Sequence, residues 1–110
     1  MVLYYDNDTS SRLVSGTAMP VERVYCLRLN DFEPKDWEIL QRAYENLPGW
    51  AGVGEHGCSC WFGTSESAPF LVASAEPSGL IVTGILDEQV WNEWHKTFEP
   101  VLSQLPNFEA

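Results

Sequence analysis

Two apolar segments separated by a short turn sequence constrain the fold of this chain more than any other feature. Residues 70–75 and 80–86 are both short segments rich in apolar residues, as in strands. Between them, residues 76–79 read Glu-Pro-Ser-Gly, with a proline at the position that suits a β-turn. The sequence therefore predicts a pair of neighbouring antiparallel strands in this part of the chain.

Shorter strand-like segments and glycine-rich or polar segments surround this pair. Strands are expected at residues 2–5, 21–29 and 58–62 because apolar side chains recur there at the spacing of a strand. Residues 6–16 are rich in Asp, Asn, Ser and Thr, and residues 49–57 contain four glycines, so both are expected to be loops. Residues 63–69 are expected to form a polar turn.

A proline followed by apolar residues at helical spacing predicts the first helix. Pro34 suits the first helical position, with Glu33 as the cap before it, and residues 48–49 (Pro-Gly) end the helix. Phe32 and Trp37 occupy the two positions between which a hydrophobic staple forms. The expected buried stripe consists of Trp37, Leu40, Tyr44 and Leu47.

The second predicted helix begins at Glu88, with Asp87 as its N-terminal cap. Apolar residues recur along it at helical spacing, and the stripe that they form is expected to face the core. These residues are Trp91, Trp94, Phe98, Val101 and Leu105. Because a proline ring clashes with the carbonyl four residues earlier, Pro100 is expected to kink or split this helix.

The order of these elements is β-α-β-β-β-α, which predicts an α+β domain. We expect an antiparallel sheet of four to five strands with both helices packed on one face. The 110 residues suit one domain. Within it, residues 1–20 would form an N-terminal strand and loop, 21–106 the compact core, and 107–110 a tail.

The chain is strongly acidic, with six Lys and Arg against sixteen Asp and Glu and a net charge of −10. No basic residue lies between Arg42 and Lys96, a window with seven acids: Glu45, Glu55, Glu66, Glu76, Asp87, Glu88 and Glu93. Such a surface repels phosphate backbones and anionic membranes, so neither is expected as a partner. Such a surface attracts a basic protein. The alternative is that the acidity only keeps the protein soluble.

The cysteine count and the absence of targeting signals indicate a reducing compartment. Three cysteines are an odd number, which argues against a disulfide framework. No basic region followed by an apolar run marks a signal peptide, and no apolar stretch approaches the roughly 20 residues of a membrane span. We therefore expect a cytoplasmic protein.

The sequence His56-x-Cys58-x-Cys60 is the one candidate metal site. On a strand these three residues would share a face and could converge on a metal ion. Structural zinc usually takes two separated pairs of ligands, and the remaining thiol and imidazole are those of Cys26 and His95. We therefore expect Cys58 and Cys60 to be small strand residues, and we expect no metal and no cofactor.

No catalytic motif is found in the sequence. Residues 52–57 match G-x-G-x-x-G, but a predicted helix precedes them and a strand follows, the reverse of the dinucleotide-binding arrangement. No G-x-S-x-G nucleophile elbow occurs, and His56 and His95 belong to no recognisable acid–base pair. We therefore expect a protein that is not an enzyme.

Two tryptophans and three acids are the candidate partner-binding residues. Trp61 alternates with Cys60 and Phe62, so it is expected on the sheet face that the helices leave open. Trp50 stands in a glycine-rich segment with little to bury it, and tryptophan is enriched at interface hot spots. Glu55, Glu66 and Glu76 lie near these strands and would surround the aromatic anchors. The alternative is that both tryptophans pack internally.

Residues 61–108 resemble the C-terminal half of small bacterial immunity proteins, which are encoded beside polymorphic or contact-dependent toxins. The resemblance rests on residues 61–63 (Trp-Phe-Gly), on residues 73–80 (Ala-Ser-Ala-Glu-Pro-Ser-Gly-Leu), and on Trp91, Trp94 and Phe98. It implies a cytosolic protein that caps a toxin domain, often a basic nuclease. No catalytic motif contributes to it.

Two further hypotheses belong to other functional classes. The chain could be a regulatory or adaptor subunit of a larger cytosolic complex, or a small metal- or thiol-dependent enzyme. A toxin-like reading frame upstream would favour the immunity protein, and stoichiometric zinc would favour the enzyme. The sequence is compatible with a monomer or a homodimer.

Overall fold

The computed structural model describes residues 3–6, 18–54, 57–63 and 69–108. Within these ranges the chain forms six strands, two α-helices and a short 3₁₀ turn at Leu29–Asp31. The elements are β1 (Tyr4–Asp6), β2 (Ala18–Tyr25), α1 (Pro34–Asn46), β3 (Trp50–Val53), β4 (Ser59–Trp61), β5 (Phe70–Glu76), β6 (Gly79–Asp87) and α2 (Glu88–Leu102). Residues 7–16 of one predicted loop, and 64–68 of the predicted turn, lie outside the described ranges.

The six described strands form one antiparallel sheet in the order β1-β2-β6-β5-β4-β3. The predicted central hairpin is confirmed, with Glu76 paired to Gly79 at its end. Gly79 is required there because its φ is +137° and an added Cβ would collide with the Tyr25 carbonyl. The α+β class is confirmed, but the six described strands exceed the predicted four to five.

The additional strand is β3, in the segment expected to be a glycine-rich loop. Trp50 pairs with Trp61, and Val53 pairs with Ser59. The register shifts between Trp50 and Gly52, and Gly52 has a φ of +94°. A glycine at a β-bulge adopts such a φ without steric cost, so here glycine permits the irregularity of a strand instead of marking a loop.

Both helices pack on the same face of the sheet, as predicted. Strand pairing places Tyr25 opposite Leu80 and Trp61 opposite Leu71, and these four residues share one face. The rings of Tyr25 and Phe98 on α2 are 5.5 Å apart. The ring of Tyr44 on α1 is 5.1 Å from that of Trp61, so both helices cover this face.

The second helix carries most of the predicted core stripe. Trp91, Trp94, Phe98 and Leu105 are buried. Leu102 is fully buried and takes the place predicted for Val101, which is only partly buried. The helix runs without interruption from Glu88 to Leu102, so of the two expected effects of Pro100, a kink or a split, the split does not occur.

A buried arginine joins β1, β2 and α2. Arg23 is 6% exposed, and its Nε and Nη2 donate to the two carboxylate oxygens of Asp6 at 2.7 and 3.0 Å. Its guanidinium also lies 3.9 Å from the ring centre of Tyr4 and 5.0 Å from that of Trp91. Burial acts to lower the pKa of Arg23, but the hydrogen bond to Asp6 and the interactions with Tyr25 together outweigh it, and the pKa is raised. The group is therefore a permanent cation on the helix-facing side of the sheet.

The segment after α2 is anchored, whereas the sequence predicted a tail from residue 107. Asn107 forms a β-bridge with Leu27, and the Phe108 N–H donates to the Cys26 carbonyl at 2.9 Å. The Leu3 N–H in turn donates to the Phe108 carbonyl at 3.1 Å. These backbone hydrogen bonds, which no side-chain pattern encodes, hold Phe108 against the rest of the fold.

Candidate partner-binding groove

Trp61, the central predicted partner-binding residue, is fully buried in the core. Its Nε1 donates to the Tyr44 carbonyl at 3.0 Å, and its ring contacts the ring of Trp94 at 5.1 Å. The expectation that it faces the open side of the sheet is therefore wrong. Trp61 and Cys60 do lie on opposite faces of the sheet, as predicted. The helices cover the face that carries Trp61, and not the face that carries Cys60.

The structure does not bring the other described candidates together. Trp50 is half-buried and stacks on Tyr44 with ring centres 6.5 Å apart. Glu76 is exposed, and it lies five residues along β5 from Leu71, the residue in register with Trp50 and Trp61. This places Trp50 and Glu76 roughly 17 Å apart along the strand direction. Glu55 and Glu66 lie outside the described residues.

The candidate metal ligands show no metal-binding arrangement in the part of the chain that can be described. His56 lies outside it. The Cys60 Sγ donates to the Cys58 carbonyl at 3.3 Å, and burial raises the pKa of Cys60 and of Cys26. A raised pKa leaves these two thiols protonated near neutral pH, which makes them poor nucleophiles. Among the described residues, no group of three or more His, Cys, Asp or Glu side chains could hold a metal ion.

Small side chains leave a gap between α1 and one end of the sheet. At the end near Trp61 and Leu71 the helix-facing residues are large and fully buried. At the other end of β4 and β5 they are Ser59, Ala73 and Ala75, and Ala75 is exposed although it points toward the helix layer. Because small residues cannot fill the space between a helix and a sheet, an open groove forms there.

Trp37 divides this groove into two lobes, and we call the whole feature the Trp37 groove. The wide lobe has a volume of about 610 Å³ and the narrow lobe about 260 Å³. The wide lobe is lined by residues 27–31, Trp37, residues 75–77 and Phe108. The narrow lobe is lined by Trp37, Leu40, Gln41, Tyr44, residues 57–59 and residues 73–75.

Trp37 is 43% exposed, so its predicted place in the buried stripe of α1 is wrong. Leu40, Tyr44 and Leu47 are buried as predicted. The sequence placed Trp37 in two roles, the staple with Phe32 and the stripe, and only the first is realised. The Phe32 and Trp37 rings lie 4.8 Å apart, and this contact holds the indole at the start of the helix, in the groove that Ala75 also lines.

Charged groups and a second aromatic ring surround the wide lobe. The Arg28 Nε lies 2.9 Å from an oxygen of Asp31, and the Arg28 guanidinium is 5.3 Å from the ring centre of Phe108. Phe108 is 52% exposed. Glu76 accepts a hydrogen bond from the Ser74 hydroxyl at 2.7 Å. The lobe thus presents two exposed aromatic rings, two carboxylates and one cation.

Comparison with models of protein families, with curated proteins and with solved structures found no match. None of the helices in the described ranges is both long and apolar enough to cross a membrane. The function of the chain therefore has to be argued from the chemistry of its surface, and the Trp37 groove is the described feature that concentrates exposed aromatic groups.

Proposed function

We propose that this protein acts by binding a basic protein and inhibiting it, as an immunity protein inhibits its toxin, and that it does so without catalysis. The supporting observation is the position of Trp37, whose large ring is 43% exposed between two open lobes. Tryptophan is the residue most enriched at interface hot spots, where it fills or borders a pocket on the partner.

The shape of the Trp37 groove favours a protein over a small molecule. Small-molecule sites usually enclose most of the ligand surface. Here the two aromatic walls, Trp37 and Phe108, leave about half of their own surface in solvent. A shallow groove with an aromatic ridge suits the side chains of a docking surface.

The charge of the chain supports a basic partner. The net charge is −10, and the wide lobe carries two carboxylates against one arginine. An acidic surface of this kind accelerates encounter with a basic partner and disfavours acidic ones. The resemblance of residues 61–108 to immunity proteins supports inhibition as the consequence of binding, and a cytoplasmic location belongs to the same proposal.

Affinity capture with matched variants tests the proposal. The tagged protein, Trp37→Ala and Tyr5→Ala are each used on native lysate, and bound proteins are identified by mass spectrometry. Tyr5 is 47% exposed on β1, lines neither lobe, and serves as the control for loss of an exposed aromatic side chain. We expect one basic protein to be retained by the wild type and by Tyr5→Ala, and to be depleted with Trp37→Ala.

The captured protein is then assayed for its own activity with and without the purified chain. Inhibition in a one-to-one ratio supports the proposal. Equal recovery with all three baits would contradict the role of the Trp37 groove. Recovery of a housekeeping complex whose activity is unchanged would favour the adaptor subunit instead.

Binding kinetics with the identified partner separate the electrostatic contribution from the aromatic one. Glu76→Lys is expected to slow association several-fold at low salt and much less at high salt, because dissolved ions screen the attraction between exposed charges. Trp37→Ala is expected to accelerate dissociation and to weaken binding by about 2 kcal/mol. An unchanged association rate for Glu76→Lys at low salt would show that the acidity serves only solubility.

A further inference from the structure

The wide lobe of the Trp37 groove already contains an arginine held between an aromatic ring and a carboxylate. Arg28 lies over the Phe108 ring at 5.3 Å and contacts Asp31 at 2.9 Å. A planar guanidinium is suited to both contacts, because it stacks on aromatic faces and pairs with carboxylates through parallel N–H groups. This side of the lobe is therefore occupied by a cation from the chain itself.

Two other residues of the same lobe offer the same pair of chemical groups without a cation. These residues are Trp37 and Glu76. Within the described ranges, no arginine or lysine lies over the Trp37 ring, and no ion pair involves Glu76. Glu76 accepts one hydrogen bond, from Ser74, which leaves further lone pairs on its carboxylate for a donor from outside.

We infer that Trp37 and Glu76 form a receptor site for an arginine side chain of the partner. This inference rests on the proposed function and adds the residue type that the groove takes. The guanidinium lies over the exposed part of the indole and donates to the Glu76 carboxylate. Its aliphatic stem lies along the open floor at Ala75, which has no side chain beyond Cβ to obstruct it.

Arginine is favoured over lysine for two reasons found in the lobe. The aromatic surface rewards stacking of a flat, weakly hydrated group, whereas an ammonium keeps its hydration shell. The one cation that the lobe holds in the described structure is itself an arginine, in the Arg28–Phe108–Asp31 arrangement. A lysine is expected to bind at the same place with lower affinity.

The test uses two short probes and the full chain, observed by nuclear magnetic resonance. The probes are acetyl-Gly-Arg-Gly-amide and its citrulline counterpart, which has nearly the same shape and no charge. The indole N–H signal of Trp37 is identified by its loss in Trp37→Phe. We expect the arginine probe to shift this signal saturably, and the citrulline probe to leave it nearly unchanged.

Two variants assign the effect to the carboxylate. Glu76→Gln keeps the shape of the side chain and is expected to weaken the arginine probe by about three- to fivefold. Glu45→Gln, on the exposed side of α1, is expected to leave the affinity unchanged. Equal shifts with both probes, or no effect of Glu76→Gln, would overturn the inference.

The outcome is distinguishable from failure of the proposed function. If the arginine probe binds at Trp37 and no basic protein is captured, the cation site stands and the proposed function fails. If a basic protein is captured through Trp37 while the arginine probe shifts no signal, the function stands and the arginine receptor is wrong.

Discussion

Trp94 shows how completely the aromatic residues of this chain are used in packing. Its ring lies 5.1 Å from Trp61, 4.9 Å from Phe98 and 5.7 Å from Trp91, and none of its surface is exposed. Trp37, by contrast, is 43% exposed and has one ring partner among the described residues, Phe32. The same residue type thus serves the core at one position and the surface at the other.

Replacement of the buried ring is expected to be severe. Trp94→Ala removes a core aromatic and should cost about 3–5 kcal/mol of unfolding free energy, which is much of the roughly 5–15 kcal/mol typical of a domain. Trp37→Ala serves as the matched control and should cost far less. Thermal unfolding followed by circular dichroism measures both, and a near-normal melting temperature for Trp94→Ala would contradict the buried position.

Two buried tyrosines predict a loss of stability at alkaline pH. Burial raises the pKa of Tyr25 and of Tyr44 above the ordinary value of about 10. Because these pKa values are raised in the folded state, the contribution of the two neutral tyrosines to the free energy of unfolding is fully present below about pH 10. It is lost as the pH rises through the folded-state values, by up to about 1.4 kcal/mol per pH unit for each tyrosine.

Denaturant unfolding from about pH 8 to pH 11 measures this decline. Tyr25→Phe should make it shallower, because phenylalanine does not ionise. Arg23 lies beside the buried Tyr25 hydroxyl, so the stability of Tyr25→Phe is compared with that of the wild type as the change from its own value at pH 8. Identical slopes for the wild type and Tyr25→Phe above pH 10 would contradict this origin of the decline.

At the scale of the elements, the start of α1 is fixed by two contacts that share one turn. The Glu33 N–H donates to the Asp36 carboxylate at 2.8 Å, and Phe32 packs on Trp37. Asp36 is 7% exposed although it is charged, because its carboxylate is engaged at the helix N-terminus. This turn holds Trp37 at the boundary between the two lobes of the groove.

Asp36→Ala is expected to destabilise the fold by about 1–2 kcal/mol, since it removes both the partner of the Glu33 N–H and a favourable charge at the helix start. Asp36→Asn keeps an acceptor and should lose less. Glu38→Ala on the exposed side of the same helix is the control and should change stability by less than about 0.5 kcal/mol. Chemical denaturation of the three variants gives the comparison.

The sequence was sufficient to predict the elements in which apolar side chains recur clearly at the spacing of a strand or a helix. The hairpin of β5 and β6, the start of α2 and the staple at α1 are all confirmed. β3 was missed because its glycines favour a loop, and only pairing with β4 makes it a strand. The covered face of β4 was misassigned because Cys60 and Trp61 are both apolar, so no polar contrast identifies the solvent side.

At the scale of the whole molecule, the groove could not be read from local patterns. Its walls come from residues 27–31, Trp37, residues 75–77 and Phe108, which the fold brings together from distant parts of the chain. The sequence did contain a signal for the exposure of Trp37, because a staple residue at the fourth helical position need not reach the core. Phe108 carried none, because the backbone hydrogen bonds that anchor it follow no side-chain pattern.

The net charge of −10 predicts a stability that depends on salt. Unscreened carboxylates repel one another in the compact state, and added salt weakens this repulsion. We expect the melting temperature to rise as sodium chloride increases from about 10 to about 200 mM. Glu45→Lys with Glu93→Lys, both exposed, should reduce this rise because each change replaces a negative charge with a positive one. An equal rise in the double variant would argue against charge repulsion as the cause.

The pairing of β2 with β6 has a consequence for the order of folding. Ala18 pairs with Asp87 and Tyr25 with Leu80, so each partner lies more than 50 residues away in the chain. A nascent chain that ends before β6 has no strand to join the N-terminal β1–β2 pair to β5, β4 and β3. Contacts this distant are formed slowly, because a long loop must close first. The sheet can therefore be completed only after β6 has left the ribosome, and until then the edge of β2 is available to other chains.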